Sequence, residues 1–159
     1  MAAVTRIVHL RPGRCRLSGA GERGAELVEL AITLPLLLFL IAGIVDFAFL
    51  FQSFEVVTNA AREGARIRVL PGYSDADAQG RVASYVTAAG LAGTPTTTVT
   101  PVSISPGGGG APFAGVRVSV SYTHPYSFIG PMATLIGGTF VASKTFTVSS
   151  TMRSEIPGS

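Results

Sequence analysis

The sequence predicts an α+β protein. A long N-terminal transmembrane helix continues into a small soluble domain with a second helix and a 3–4-stranded antiparallel sheet. Three observations carry this. From Leu30 to Leu50 the only charged residue is Asp46, and at ~1.5 Å per residue that run matches a hydrocarbon core of about 30 Å. Helical spacing continues beyond it as far as Pro71-Gly72. After a second, capped helical stretch, apolar and hydroxyl residues alternate as they do in half-buried strands.

Residues 1–24 read as a basic cytoplasmic leader. They hold Arg6, Arg11, Arg14, Arg16 and Arg23 against Glu22 alone, whereas the remaining 135 residues carry seven basic and eight acidic side chains. The chain's formal charge of +3 therefore belongs to this tail. Beside a membrane span it marks the side that stays in the cytoplasm. Gly13, Gly19, Gly21 and Gly24 discourage a regular helix here. A secretory signal has the same basic start, but its apolar core is usually ~7–15 residues and ends at a small-residue cleavage site. The run here is longer and no such site follows it.

The transmembrane helix is expected over 25–51 and its extracytoplasmic extension over 52–70. Continuous from 25 to 70, the helix would be about 70 Å long. In the extension Phe54, Val57, Ala61 and Ala65 share a stripe, with Glu55, Asn59, Arg62, Glu63 and Arg66 largely on the other side. Ala60, Ala61, Gly64 and Ala65 permit close packing against the chain's own sheet. Pro35 removes one hydrogen bond inside the span, which membrane helices tolerate.

Residues 71–159 are expected to form the small α+β extracytoplasmic domain. Ser74 caps a second helix that reaches about Ala89, with Asp75 and Asp77 in its first turn. Three strand-like stretches follow: "TTTVTPVSIS", "GVRVSVSYTH" and "TFVASKTFTVSSTMR". In the second, Val116, Val118 and Val120 alternate with Arg117, Ser119 and Ser121. The glycine run between the first two lacks the Gly-Lys-Ser/Thr of a phosphate loop and reads as a hairpin turn. "HPYSFIGPMATLIGG" reads as a long connection that covers the sheet or meets a partner.

The inventory of reactive groups predicts a non-enzyme with no cofactor, no metal and no small-molecule substrate. There is no GxSxG, HExxH or CxxC. Cys15 is the only cysteine, so no intramolecular disulfide can form. His9 and His124 have no ligand-spaced partners, and His124, before a proline at a strand end, is expected to be partly exposed. The exported part lacks a basic, aromatic-interleaved face, which argues against nucleic acid.

Carboxylates at the mouth of the span are what remain. Glu26 and Glu29 lie one helical turn apart at the helix N-terminus, where negative charge is favoured, so interfacial capping explains them at a minimum. Asp46 has two readings: a carboxylate just inside the outer headgroup region, or a polar contact with a neighbouring helix. At the centre of a span it would cost about 2.5–3.5 kcal/mol on insertion scales.

"RGAELVELAITLPLLLFLIAGIVDFAFLFQSFEVVTNAAREGAR" resembles the N-terminal signature of TadE-like proteins, pseudopilins of the tight-adherence pilus machinery. The shared pattern is a Gly-Ala-Glu entry, an apolar span with Leu-Pro-Leu, a late acidic residue and an Asn-Ala-Ala-Arg-Glu-Gly-Ala-Arg helix. The close match covers about residues 23–68. The resemblance implies a pilin-like fold in the bacterial cytoplasmic membrane, single-pass, N-terminus inside and C-terminal domain outside. It also implies incorporation into the pilus or service to its assembly. Its partners would be a prepilin peptidase, other pilins and pseudopilins, and the inner-membrane pilus assembly proteins, besides the lipid bilayer. The peptidase would cut after a glycine with glutamate five residues beyond. Gly24 with Glu29 fits and makes Ala25 the new terminus. Gly21 with Glu26 has the same spacing but leaves Glu22 and Arg23 where an apolar start is expected. Glu29 and Asp46 would be the assembly residues, with Glu29 neutralising the new amine of a neighbour. Leu30 departs from the tyrosine that the family's major pilins carry after the glutamate. The rival function is an uncleaved single-pass membrane protein whose extracytoplasmic domain binds a ligand or envelope partner.

Overall fold

A computed structural model describes residues 20–135, 137–139 and 141–154 of the chain. Residues 1–19, with His9 and Cys15 and most of the expected leader, lie outside the described residues. Six elements follow one another: α1 (Ala20–Arg68), α2 (Asp75–Ala88), β1 (Thr96–Ile104), β2 (Phe113–Pro125), α3 (Ile129–Leu135) and β3 (Ser143–Arg153). The α+β class and the long apolar first helix are as expected. The sheet has three strands in the order β1-β2-β3, antiparallel throughout.

The chain divides into two compact units at Leu38/Phe39. In the first, every described side chain from Gly24 to Leu38 is exposed, including Leu27, Val28, Leu30, Ile32 and Leu36. A helix that is apolar all round and buries none of it suits lipid or other apolar helices. Among the described residues one helix is long and apolar enough to cross a membrane, and it is α1.

α1 runs on through Pro35 and starts at Ala20, five residues before the expected Ala25. Gly21 and Gly24 do not stop it. Extending an existing helix by a turn requires no new nucleation, so two glycines at ~1 kcal/mol each are tolerated. Its other end is built by chain chemistry. Pro71 has no N–H to offer, and Gly72 takes φ +85°, a left-handed conformation that side chains avoid.

In the second unit the core is small and tightly shared. Val57, Ala60, Ala61 and Ala65 of α1 meet Val82 and Val86 of α2 and Val116, Val118, Val120 and Tyr122 of β2. Gly64 sets the approach of α1 to α2. A Cβ there would stand 2.6 Å from Val82 Cγ2 and 3.5 Å from Val118 Cγ1. Phe54 keeps 44% of its surface exposed, so it borders the buried stripe, with its ring 5.5 Å from that of Phe146. α2 has the predicted Ser74 cap in reciprocal form. Ser74 Oγ accepts from the Asp77 N–H and the Ser74 N–H donates to Asp77 Oδ2 at 2.8 Å. The Ser74 N–H, and then the Ser74 hydroxyl donating to the same Oδ2 at 2.7 Å, hold the Asp77 carboxyl below its usual range.

β2 is the central strand, pairing Val118 with Val99 on one side and with Ser150 on the other. Its valines face the helices, whereas hydroxyls on the opposite face pair across strands, as in Ser119 with Ser149 and Thr123 with Thr145, both at 2.8 Å. The connection from β2 to β3 differs from expectation because it contains α3. Seven residues with two breakers, Gly130 and Pro131, give no helical period to read.

Candidate functional site

The residues singled out in the sequence fall in two places. Gly24, Ala25, Glu26 and Glu29 lie on the exposed first unit, with Gly21 in the turn before them, all within α1. A Cβ added at Gly24 would touch nothing within 4 Å. Glu26 and Glu29 are exposed and have no ion-pair partner among the described residues. The candidate bond between Gly24 and Ala25 is therefore free of packing but helical.

Asp46 is in the second unit and is 2% exposed. Both carboxylate oxygens are taken by the chain's own backbone. Oδ1 accepts from the N–H of Ser127 at 3.0 Å and of Phe128 at 3.2 Å. Oδ2 accepts from Phe128 at 3.0 Å and Ile129 at 2.7 Å. These are the donors that the start of a helix leaves without intrahelical partners. Asp46 thus caps α3 from about eighty positions away in sequence, and neither of its two sequence readings included this partner. Phe128 also stacks on Phe49, with centroids 6.5 Å apart and planes at 15°. No local pattern advertises this cap, because the acceptor and the donors are joined only by the fold.

His124 is a correction. It is 8% exposed, not partly exposed, because β2 turns it onto the helix-facing side with Val120 and Tyr122. Its Nδ1 lies 2.9 Å from Ser53 Oγ, which donates to the Phe49 carbonyl at 2.9 Å. Ser53 has one proton, so the two contacts are hydrogen bonds together only when that proton goes to the carbonyl and the Nδ1–H of His124 donates to Ser53 Oγ. Nε2 then carries the lone pair and has no partner among the described residues. Burial pushes the imidazole pKa down, and the nearby Asp46 charge opposes this. Ser, His and Asp lie close together, but not with the bonds of a nucleophilic triad. In a triad the histidine accepts from serine and is oriented by the carboxylate. Here Nδ1 faces the serine, and the second nitrogen reaches no carboxylate among the described residues. The cleft beside the pair, about 350 Å³, is walled by Phe49, Ala92, Tyr122 and Ser127 among others. Among the described residues no group of three or more His, Cys, Asp or Glu could hold a metal ion.

At the far end of α1, Glu63 binds Arg66 through two contacts of 2.8 Å and reaches Arg81 of α2 at 3.1 Å. Hydrogen bonds from Arg66, and then Arg81, lower its pKa to about 2 against the partial desolvation that raises it. Arg68 pairs with Asp75 in the same region. These contacts join α1 to α2 and bring no reactive group together.

No curated protein and no solved structure matches the chain. The family model described as TadE-like protein matches residues 24–66, from Gly24 through Arg66, and so meets the sequence resemblance on the very segment that carries it.

Proposed function

We propose that this chain is a pseudopilin, minor pilin or assembly factor in the biogenesis of a tight-adherence, type IV-like pilus. The carrying observation is the TadE-like match at 24–66, which coincides with a helix whose first unit leaves all its apolar side chains exposed. In this reading the protein is not an enzyme and acts by assembly in the cytoplasmic membrane. Residues 25–51 form the span, with the N-terminus inside and the domain outside.

Each candidate residue has a task in this scheme. A prepilin peptidase cuts after Gly24, removing the arginine-rich leader and creating an ammonium on Ala25, whose ordinary pKa is about 8. Glu29 of one subunit meets that amine on another. An unpaired carboxylate opposes transfer into a dry helix bundle, so the pair fixes register. Asp46 serves assembly indirectly, by fixing the segment around α3.

A specific observation also favours the uncleaved reading. α1 runs unbroken across Gly24–Ala25 to Ala20, as a plain bitopic anchor would. N-terminal sequencing and intact mass of the membrane-extracted protein separate the two. A chain beginning at Ala25 supports processing, and one retaining Arg6 through Arg23 refutes it. If Glu29→Gln leaves assembly partners and pilus output unchanged, the pairing role fails.

A further inference from the structure

Residues 125–143 contain no Asp, Glu, Lys, Arg or His, although they link two strands of an external domain. The segment exposes apolar surface: Phe128 is 47% and Val141 72% exposed. It is also fastened to the apolar part of α1. Asp46 holds the N–H groups of Ser127, Phe128 and Ile129. Ile129 Cδ1 lies 3.7 Å from where a Cβ of Gly43 would be, and Phe128 stacks on Phe49.

Depth follows from helix geometry. The apolar run of α1 ends at Leu50, so Asp46 lies about 6 Å and Gly43 about 10 Å inside that end. A helix lying in the membrane interface is buried ~5–10 Å into the headgroup–acyl boundary. We infer that the segment containing α3 is an interfacial foot, seated in the lipid leaflet on the domain's side of the span and pinned there by Asp46.

The backbone is prepared for that environment, where unsatisfied polar groups are expensive. The N–H groups of Ser127 and Phe128, just before α3, and of Ile129, its first residue, are on Asp46, and Pro131 has none to satisfy. The Met132 N–H reaches the Phe128 carbonyl at 3.2 Å, and Gly138 closes on Ala133 at 2.8 Å. Thr134 Oγ donates to the Pro131 carbonyl at 2.7 Å.

Just beyond the foot is Lys144, the only lysine of the chain. It borders an apolar cleft of about 200 Å³ lined by Phe47, Leu50, Phe51, Phe54 and Phe146. It has no ion-pair partner among the described residues. A lysine stem over apolar surface with its ammonium at the phosphate level is the usual snorkelling arrangement. The occupant is therefore lipid. A charge-free segment, level with the end of the span and bordered by an unpaired cation, suits a phospholipid interface.

The chain contains no tryptophan, which makes it a convenient reporter. The full chain carrying Phe128→Trp is reconstituted into phosphatidylcholine–phosphatidylglycerol vesicles, with and without lipid brominated near the headgroup end of the acyl chains. Tyr73→Trp, beyond the distant end of α1, is the water-exposed control, and Val141→Trp is a second reporter free of the Phe49 stack. Both foot tryptophans should emit blue-shifted from the control and lose most of their emission to brominated lipid, whereas Tyr73→Trp should not. Emission at the control wavelength, quenched equally by aqueous iodide, overturns the proposal. Blue-shifted emission indifferent to bromine overturns it too, since protein, including a second copy, would then cover the segment. The inference rests on α1 crossing a bilayer and is independent of the pilus reading.

Discussion

Asp46→Asn replaces one oxygen of a fully engaged carboxylate with a donor and otherwise keeps its shape. If the remaining oxygen keeps Ser127 and Phe128, the new NH₂ faces the N–H of Ile129, which now makes a 2.7 Å bond. A buried donor left unpaired costs ~1–3 kcal/mol. The two surviving contacts lose the charge assistance that roughly doubles such bonds, about 0.5–1 kcal/mol each. The sum is about 2–5 kcal/mol, localised on the first turn of α3. Hydrogen exchange on the full chain in nanodiscs reads this directly. At ~1.4 kcal/mol per tenfold, protection at residues 127–129 should fall by roughly a hundredfold. Amides of Val82–Val86 in α2 should change much less, because openings are local. If protection at 127–129 falls by less than about threefold, Asp46 does not hold that turn, and its burial needs another explanation.

Acid titration of unfolding tests the Glu63 cluster. Its folded pKa of about 2 lies below the ordinary 4.5, so its stabilisation is complete above 4.5 and is lost as pH falls from there to about 2. Glu63→Gln should flatten that limb and cost ~1 kcal/mol or less at neutral pH, as partly exposed pairs do. His124 has the same sign in a higher window. Its lowered pKa means that the unfolded chain binds the proton more readily, so stability is full above about 6.5 and declines as pH falls below it. His124→Gln should abolish that slope in urea unfolding. Gly64→Leu should destabilise by ~1–3 kcal/mol through overpacking against Val82 and Val118, despite a gain of about 1 kcal/mol in helix propensity.

What the sequence disclosed and what it hid divide by range. The Ser74 cap, the alternation at Val116, Val118 and Val120, and the small residues at 60–65 are local patterns, each read within a few positions. The same is true of the TadE-like stretch, which is contiguous. The environment of Asp46 depends on residues 127–129, and that of His124 on Ser53. In both cases partners from separate elements meet only once β2 has packed along α1, so no window of sequence contains them. α3 was hidden for a different reason, since it is too short for a period and holds its own breakers. The charge-free run from 125 to 143 was visible, but its meaning required knowing which level of α1 it meets.

Gly24 is where conformation and proposed chemistry meet. A peptide bond inside a hydrogen-bonded helix must be unwound before a peptidase can hold it extended, and glycine lowers that barrier by ~1 kcal/mol relative to alanine. Packing offers no competing reason for a glycine, since a methyl group there would touch nothing. Gly24→Ala should therefore leave the domain's unfolding curve unchanged while blocking or slowing removal of the leader in cells. Gly21→Ala changes helix propensity by the same amount three residues earlier. Under the Gly24 register it should leave a mature chain beginning at Ala25. If Gly21→Ala is the variant that stops processing, and the wild-type terminus maps to Glu22, the cut lies in the other register and Glu26 takes the role assigned to Glu29. If the wild type and both variants all retain the leader, each variant heavier only by its extra methylene, the helix from Ala20 onward is an anchor that no peptidase opens.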